Sequence, residues 1–140
     1  MIVILQSDAS GPHGFGYISG SIDELDPLFY SARWSPSEEE ICNTSSHYAE
    51  LRALQHYLSA TTDSQKILIW VSDSQSAVYS VNNGSCHEKV SLGLLSSVLS
   101  TCDHNHIYII ALWIPREKNL LPDYLSHLAF NINSENTAGG

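Results

Sequence analysis

Apolar positions along this chain cluster in two ways, as short unbroken runs and as stripes three or four residues apart. Ile2 to Leu5 is a run rich in β-branched residues that leads into Gln6, Ser7 and Asp8, the pattern of a buried strand with a carboxylate at its end. Ser10 to Gly14 supplies turn residues. Phe15 to Gly20 reads as a second strand, and Leu28, Tyr30, Ala32 and Trp34 alternate along a third, predicting an antiparallel meander. Residues 35–44 read as a polar loop, with Glu38, Glu39 and Glu40 as its solvated face. Ile67 to Val71 is apolar throughout and ends in Ser72 and Asp73, which predicts a central strand covered on both faces and places Asp8 and Asp73 on adjacent strands. Ile107 to Ile114 is the last strand. Trp70 and Trp113 fall within apolar runs and are expected in the core.

The stripes mark helices. Over Ser45 to Ala60, Leu51, Leu54 and Leu58 share one side, with Thr44, Ser45 or Ser46 available as N-cap. Glu50 stands beside that stripe near the helix start, where the macrodipole favours a negative charge, so helix stabilisation alone accounts for it as well as metal ligation does. Ser74 to Val81 predicts a short helix stopped by Asn82, Asn83 and Gly84, and Glu88 to Thr101 another with Val90, Leu94, Leu95 and Val98 inward. Asn119 is placed to cap a last helix whose stripe is Leu121, Tyr124, Leu125 and Leu128. Pro122 is tolerated in its first turn, and Asp123 lies at its opening. The order predicts an α/β domain over residues 1–130, a five-stranded mixed sheet with its first three strands antiparallel and helices flanking it, followed by a flexible polar tail at residues 131–140.

Composition narrows the setting. With 140 residues one domain with a real core is expected. Cys42, Cys86 and Cys102 lack metal-ligand spacing, which predicts reduced thiols in an intracellular compartment, cytoplasmic or nuclear, and no zinc site. No apolar stretch approaches the roughly 20 residues that span a bilayer, so no membrane partner is expected. The formal net charge of −9 is unusual for a nucleic-acid binder.

Four segments carry a family resemblance: S-D-A-S-G-P-H-G-F-G-Y around Asp8, S-S-H-Y-A-E-L-R-A-L around Glu50, V-S-D-S-Q-S-A-V around Asp73, and W-I-P-R-E-K-N-L-L-P-D-Y-L-S around Asp123. Each is weak alone. In this order and on these elements, the chain resembles ribonuclease H over residues 1 to about 128, and specifically the RNase H domains attached to reverse transcriptases. The W-I-P and W-S-x-x-E-E stretches look most like those of tyrosine-recombinase or long-terminal-repeat retroelements. The resemblance implies the RNase H-like fold and endonucleolytic cleavage of the RNA strand of an RNA:DNA hybrid. Catalysis would use two Mg2+ ions, or Mn2+ in their place, held by Asp8, Glu50, Asp73 and Asp123. Four converging carboxylates cannot all stay ionised without counter-charge, and a pair of hard cations roughly 3.5 to 4 Å apart suits both them and phosphodiester hydrolysis. Two such ions would move the formal charge from −9 to −5, still acidic, so a reverse transcriptase domain or another attached nucleic-acid-binding partner is expected to supply the basic surface.

Beyond the acids, the resemblance implies that Gln75 and Asn119 contact or organise the minor groove of the hybrid, where 2′-hydroxyls mark RNA; a helix-cap partner and a helix N-cap are their plain alternatives. Ser10 and the backbone near Gly14 and Gly16 are placed to approach substrate, though hairpin geometry alone explains the glycines. Ser46 and His47 stand at positions of polar substrate contacts but differ in residue type. The loop Pro115 to Lys118 lacks the histidine many members carry there, leaving His127, one turn after Asp123, as the possible proton shuttle or simply a solvated helix residue. A basic substrate-binding protrusion is also missing between Asn82 and Ile107. The rival readings are a non-catalytic RNase H-like module that binds a hybrid or a protein partner, and a 3′–5′ exonuclease or integrase on the same fold.

Overall fold

The computed structural model describes residues 1–22, 27–61 and 65–119. The expected last helix with Asp123 and His127, and the tail, lie outside the described residues. Five strands form one sheet: β1 Ile2–Ser10, β2 Gly14–Ser21, β3 Leu28–Arg33, β4 Ile67–Ser72 and β5 Tyr108–Trp113, in the spatial order β3-β2-β1-β4-β5. β1, β2 and β3 pair antiparallel, whereas β4 joins β1, and β5 joins β4, in parallel. This is the mixed sheet that the runs predict.

Alternation along the strands decides what the helices cover. Val3, Leu5 and Ser7 of β1 and Leu68, Trp70 and Ser72 of β4 are buried on one face. The Trp70 indole N–H donates to Ser7 Oγ at 2.8 Å, which satisfies the polar edge of a wholly buried ring. Helix α1 is Pro36–Cys42, α2 is Ser46–Ala60, α3 is Gln75–Asn83 and α4 is Lys89–His104. α2 lies against β1 and α4 and buries Ala49, Leu51, Ala53, Leu54 and Leu58. Each fully buried leucine contributes about 1.5–3 kcal/mol. Ser45 caps α2 by accepting from Tyr48 N, and Ser74 caps α3 by accepting from Ala77 N. α3 ends at Gly84 in the left-handed region (φ 68°), the position where a residue without Cβ closes a helix. Gly14 answers a different need: a Cβ there would lie 2.1 Å from the Ala32 carbonyl oxygen, so the β2–β3 approach requires glycine.

Several expectations give way. Residues 35–44 are not a loop. Ser35 and Glu38 form a capping box, with Pro36 in the first turn, and this nucleates α1. Nor is Glu38 simply solvated: its carboxylate accepts from Arg52 Nε at 2.9 Å, pairs with His56 Nε2 at 2.6 Å and accepts from Ser35 N at 3.1 Å. Val90 is exposed: in the first turn of α4, which begins at Lys89, it is Ser91 that points inward. β4 is covered fully on one face only, its other side being exposed at Ile67 and half-buried at Ile69 and Val71. Trp113, expected in the core, is 45 % exposed because β5 is an edge strand. That edge is partly closed by Asn82, whose amide donates to the Ala111 carbonyl at 2.8 Å and accepts from Ala111 N at 2.9 Å, mimicking a ladder partner.

Candidate active site

Strand register brings the first two acids together. Gln6 of β1 pairs with Val71 of β4 in parallel, and the same offset carried two residues on sets Asp8 opposite Asp73, at the C-terminal ends of neighbouring strands. α2 contributes Glu50 from its second turn. One carboxylate oxygen from each of Asp8, Glu50 and Asp73 lies within 4.8 Å of the others. Three residues distant in sequence thus form one anionic cluster.

Glu50 is 3 % exposed, and its carboxylate is held at both ends: Oε1 accepts from Ala9 N at 3.2 Å and Oε2 from Ser72 Oγ at 3.1 Å. Ser72 Oγ in turn accepts from Ser74 N at 3.2 Å, so its proton is directed at Glu50. Burial pushes the Glu50 carboxyl up to about 8, and the charge of Asp73 pushes the same way. Hydrogen bonds to Asp8, Ala9 N and Ser72 restrain the rise. Without bound cations, burial and the charge of Asp73 thus disfavour the ionised form of Glu50. Helix stabilisation does not explain it, since a side chain this buried gains little from a helix terminus compared with what desolvation costs. The donor set consists of oxygen alone and is short of positive charge at Glu50, which matches the needs of Mg2+ or Mn2+.

The other nominated residues divide. Ser10 ends β1 and its Oγ lies 2.9 Å from His13 Nδ1, in the hairpin beyond Asp8. Gln75 is the exposed first residue of α3, directly after the cluster. Asn119 is fully buried; its Oδ1 accepts from Gln6 Nε2 at 2.9 Å and its Nδ2 donates to the Ser7 carbonyl at 3.1 Å. It is a brace between β1 and the chain after β5. His47 is buried with Nε2 3.0 Å from Ser80 Oγ, and burial lowers its pKa, an effect that Glu88 partly opposes. Ser46 is the exposed first residue of α2. Two contributors escaped sequence reasoning. Ser72 gave a signal in V-S-D, a hydroxyl one residue before an acid at a strand end, whereas Trp113 gave none beyond its apolar run. A cavity of about 300 Å³ lined by Ile4, Gln6, Ile18 and Pro27, among others, contains no ionisable lining residue.

No protein-family model and no curated protein matches the chain. Solved structures do. The N-terminal RNase H domain of a Mycobacterium tuberculosis protein, solved as a fusion with maltose-binding protein, superposes with a TM-score of 0.64 at 16 % identity, covering 93 % of this chain and 99 % of that one. An RNase H1 isolated from compost, in complex with an RNA/DNA hybrid, gives 0.60 at 17 % identity, covering 95 % and 98 %. A foamy viral protease-reverse transcriptase in complex with double-stranded DNA gives 0.58 at 14 % identity, covering 94 % of each chain. The chain has the RNase H fold.

Proposed function

We propose that this chain is a ribonuclease H that cleaves the RNA strand of RNA:DNA hybrids by two-metal-ion hydrolysis during retroelement reverse transcription. The observation that carries the reading is the convergence of Asp8, Glu50 and Asp73 within 4.8 Å at the strand ends of an RNase H fold. Substrate class is supported by the similar RNase H1 bound to a hybrid, and the attached polymerase by the similarity to the foamy viral enzyme.

When bound, a pair of divalent cations would supply an activated water and charge stabilisation for the leaving oxygen. Asp8, Glu50 and Asp73 would hold the ions together, and Asp123 is proposed as the fourth ligand. Asn119 supports that role for Asp123, being fixed to Gln6 and Ser7 only four residues earlier. Ser72 and the Ala9 amide orient Glu50, which must release its proton before it can ligate. Ser10, two residues after Asp8, and Gln75, two residues after Asp73, are proposed to contact the minor groove of a hybrid.

The net charge of −9 favours one alternative, a non-catalytic module that contacts a hybrid through a partner's basic surface. Incubation of the purified protein with Mg2+ and a labelled hybrid decides between them. RNA cleavage that is lost in Asp73→Asn, with the fold intact, is the expected result. Hybrid binding without cleavage supports the module, and cleavage unchanged in Asp73→Asn contradicts the site.

A further inference from the structure

The backbone at Asp73 is held in an unusual way. β4 ends at Ser72, and Asp73 follows in a bend before α3, so its carbonyl lies beyond the last regular rung of the β4–β5 ladder. Ile114 N, one residue past β5, still donates to the Ser72 carbonyl at 3.0 Å. The next carbonyl, that of Asp73, accepts instead from a side chain, the indole Nε1–H of Trp113, at 3.1 Å. On the far side of the bend, Ser74 N donates to Ser72 Oγ, and the Ser74 hydroxyl caps α3. The main chain that delivers the Asp73 carboxylate is thus clamped before and after the acid.

The exposure of Trp113 supports a purpose other than packing. A ring that fills a core is buried, as Trp70 is, whereas Trp113 leaves 45 % of its surface in solvent and still aims its one donor at Asp73. Phenylalanine or leucine would serve equally well at such an edge if only apolar cover were needed.

We propose that Trp113 is a positioning residue for the metal centre, holding the Asp73 main chain so that its carboxylate meets Asp8 and Glu50; this rests on the metal-site reading above. Partners of metal ligands typically change affinity 10–100-fold when removed. Trp113 acts one covalent step further back and through a single neutral hydrogen bond worth about 1 kcal/mol, so loss of its N–H should weaken the site about fivefold.

The test is Mn2+ binding to the full chain, measured by electron paramagnetic resonance of the free ion, for wild type and Trp113→Phe, with urea unfolding run in parallel. The expected result is an Mn2+ dissociation constant about fivefold higher in the variant. Replacement of Trp113 by benzothienylalanine, which keeps the ring shape and removes only the N–H, should reproduce the loss, and this variant decides the matter if Trp113→Phe does not fold. A variant that is less stable yet binds Mn2+ as wild type does shows Trp113 to be structural and overturns the proposal. Failure of the wild-type protein to bind Mn2+ at all removes the metal-site reading first, and the proposal with it.

Discussion

Two glutamates on neighbouring helices end up in opposite electrostatic states. Glu38 in α1 is surrounded by donors: burial pushes its carboxyl up, but hydrogen bonds from His56, Ser35 N, Arg52 and the Ser35 hydroxyl outweigh that and hold it down at about 2. Glu50 in α2 receives one backbone N–H and one hydroxyl, has two acids beside it, and is pushed up to about 8. No cation figures among the groups that set Glu50. One carboxylate is satisfied by the protein itself and ties α1 to α2; the other is left short of positive charge, which supports the proposed metal site.

Removing each acid should expose this difference. Glu50→Gln is expected to lower hybrid cleavage about a thousandfold, several kcal/mol of lost transition-state stabilisation, when initial rates are compared at saturating Mg2+. With EDTA present at pH 7.5 the same substitution should stabilise the fold, on the order of 2 kcal/mol in urea, because it removes an ionisable group whose charged form is disfavoured there. Glu38→Gln should do the reverse, costing about 1–2 kcal/mol in stability while leaving Mn2+ affinity at the cluster unchanged.

The two acids also give opposite slopes against pH. Glu38 has a folded value below its ordinary 4.5, so its contribution is present above pH 4.5 and is lost as pH falls towards 2. Glu50 has a folded value above 4.5, so its contribution is complete below pH 4.5 and is lost as pH rises towards 8, unless divalent cations compensate. Urea midpoints recorded from pH 2 to 9, with EDTA and then with Mg2+, should therefore show an acid limb that disappears in Glu38→Gln and an alkaline decline that Mg2+ suppresses. The smallest effect concerns the sheet edge. Asn82→Ala should cost about 1 kcal/mol and produce concentration-dependent association, visible by sedimentation, because the Ala111 N–H and carbonyl become available to another chain.

Much of the framework was legible from pattern alone. The five strands, the meander, α2 with its leucine stripe and the Asp8–Asp73 juxtaposition follow from periods of two and of three to four, because burial on a sheet face or helix face enforces those periods. The α1 region was misread because its polar composition hid a local signal: S-P-S-E is a capping box, and three glutamates in a row masked it. Trp113 was misplaced because an apolar run cannot distinguish a central strand from an edge strand, which only the topology settles. Residue pattern alone left Glu50 open between two roles, since an acid near a helix N-terminus and a metal ligand look identical until the depth of burial is known.

Metal ligation by Glu50 is open to direct measurement. Calorimetric titration of the protein with Mg2+ at pH 7, repeated in buffers of different ionisation enthalpy, should show saturable binding accompanied by proton release, with both signals lost in Glu50→Gln. Binding that releases no protons and persists in Glu50→Gln, or the absence of any saturable Mg2+ binding, would contradict metal ligation by Glu50.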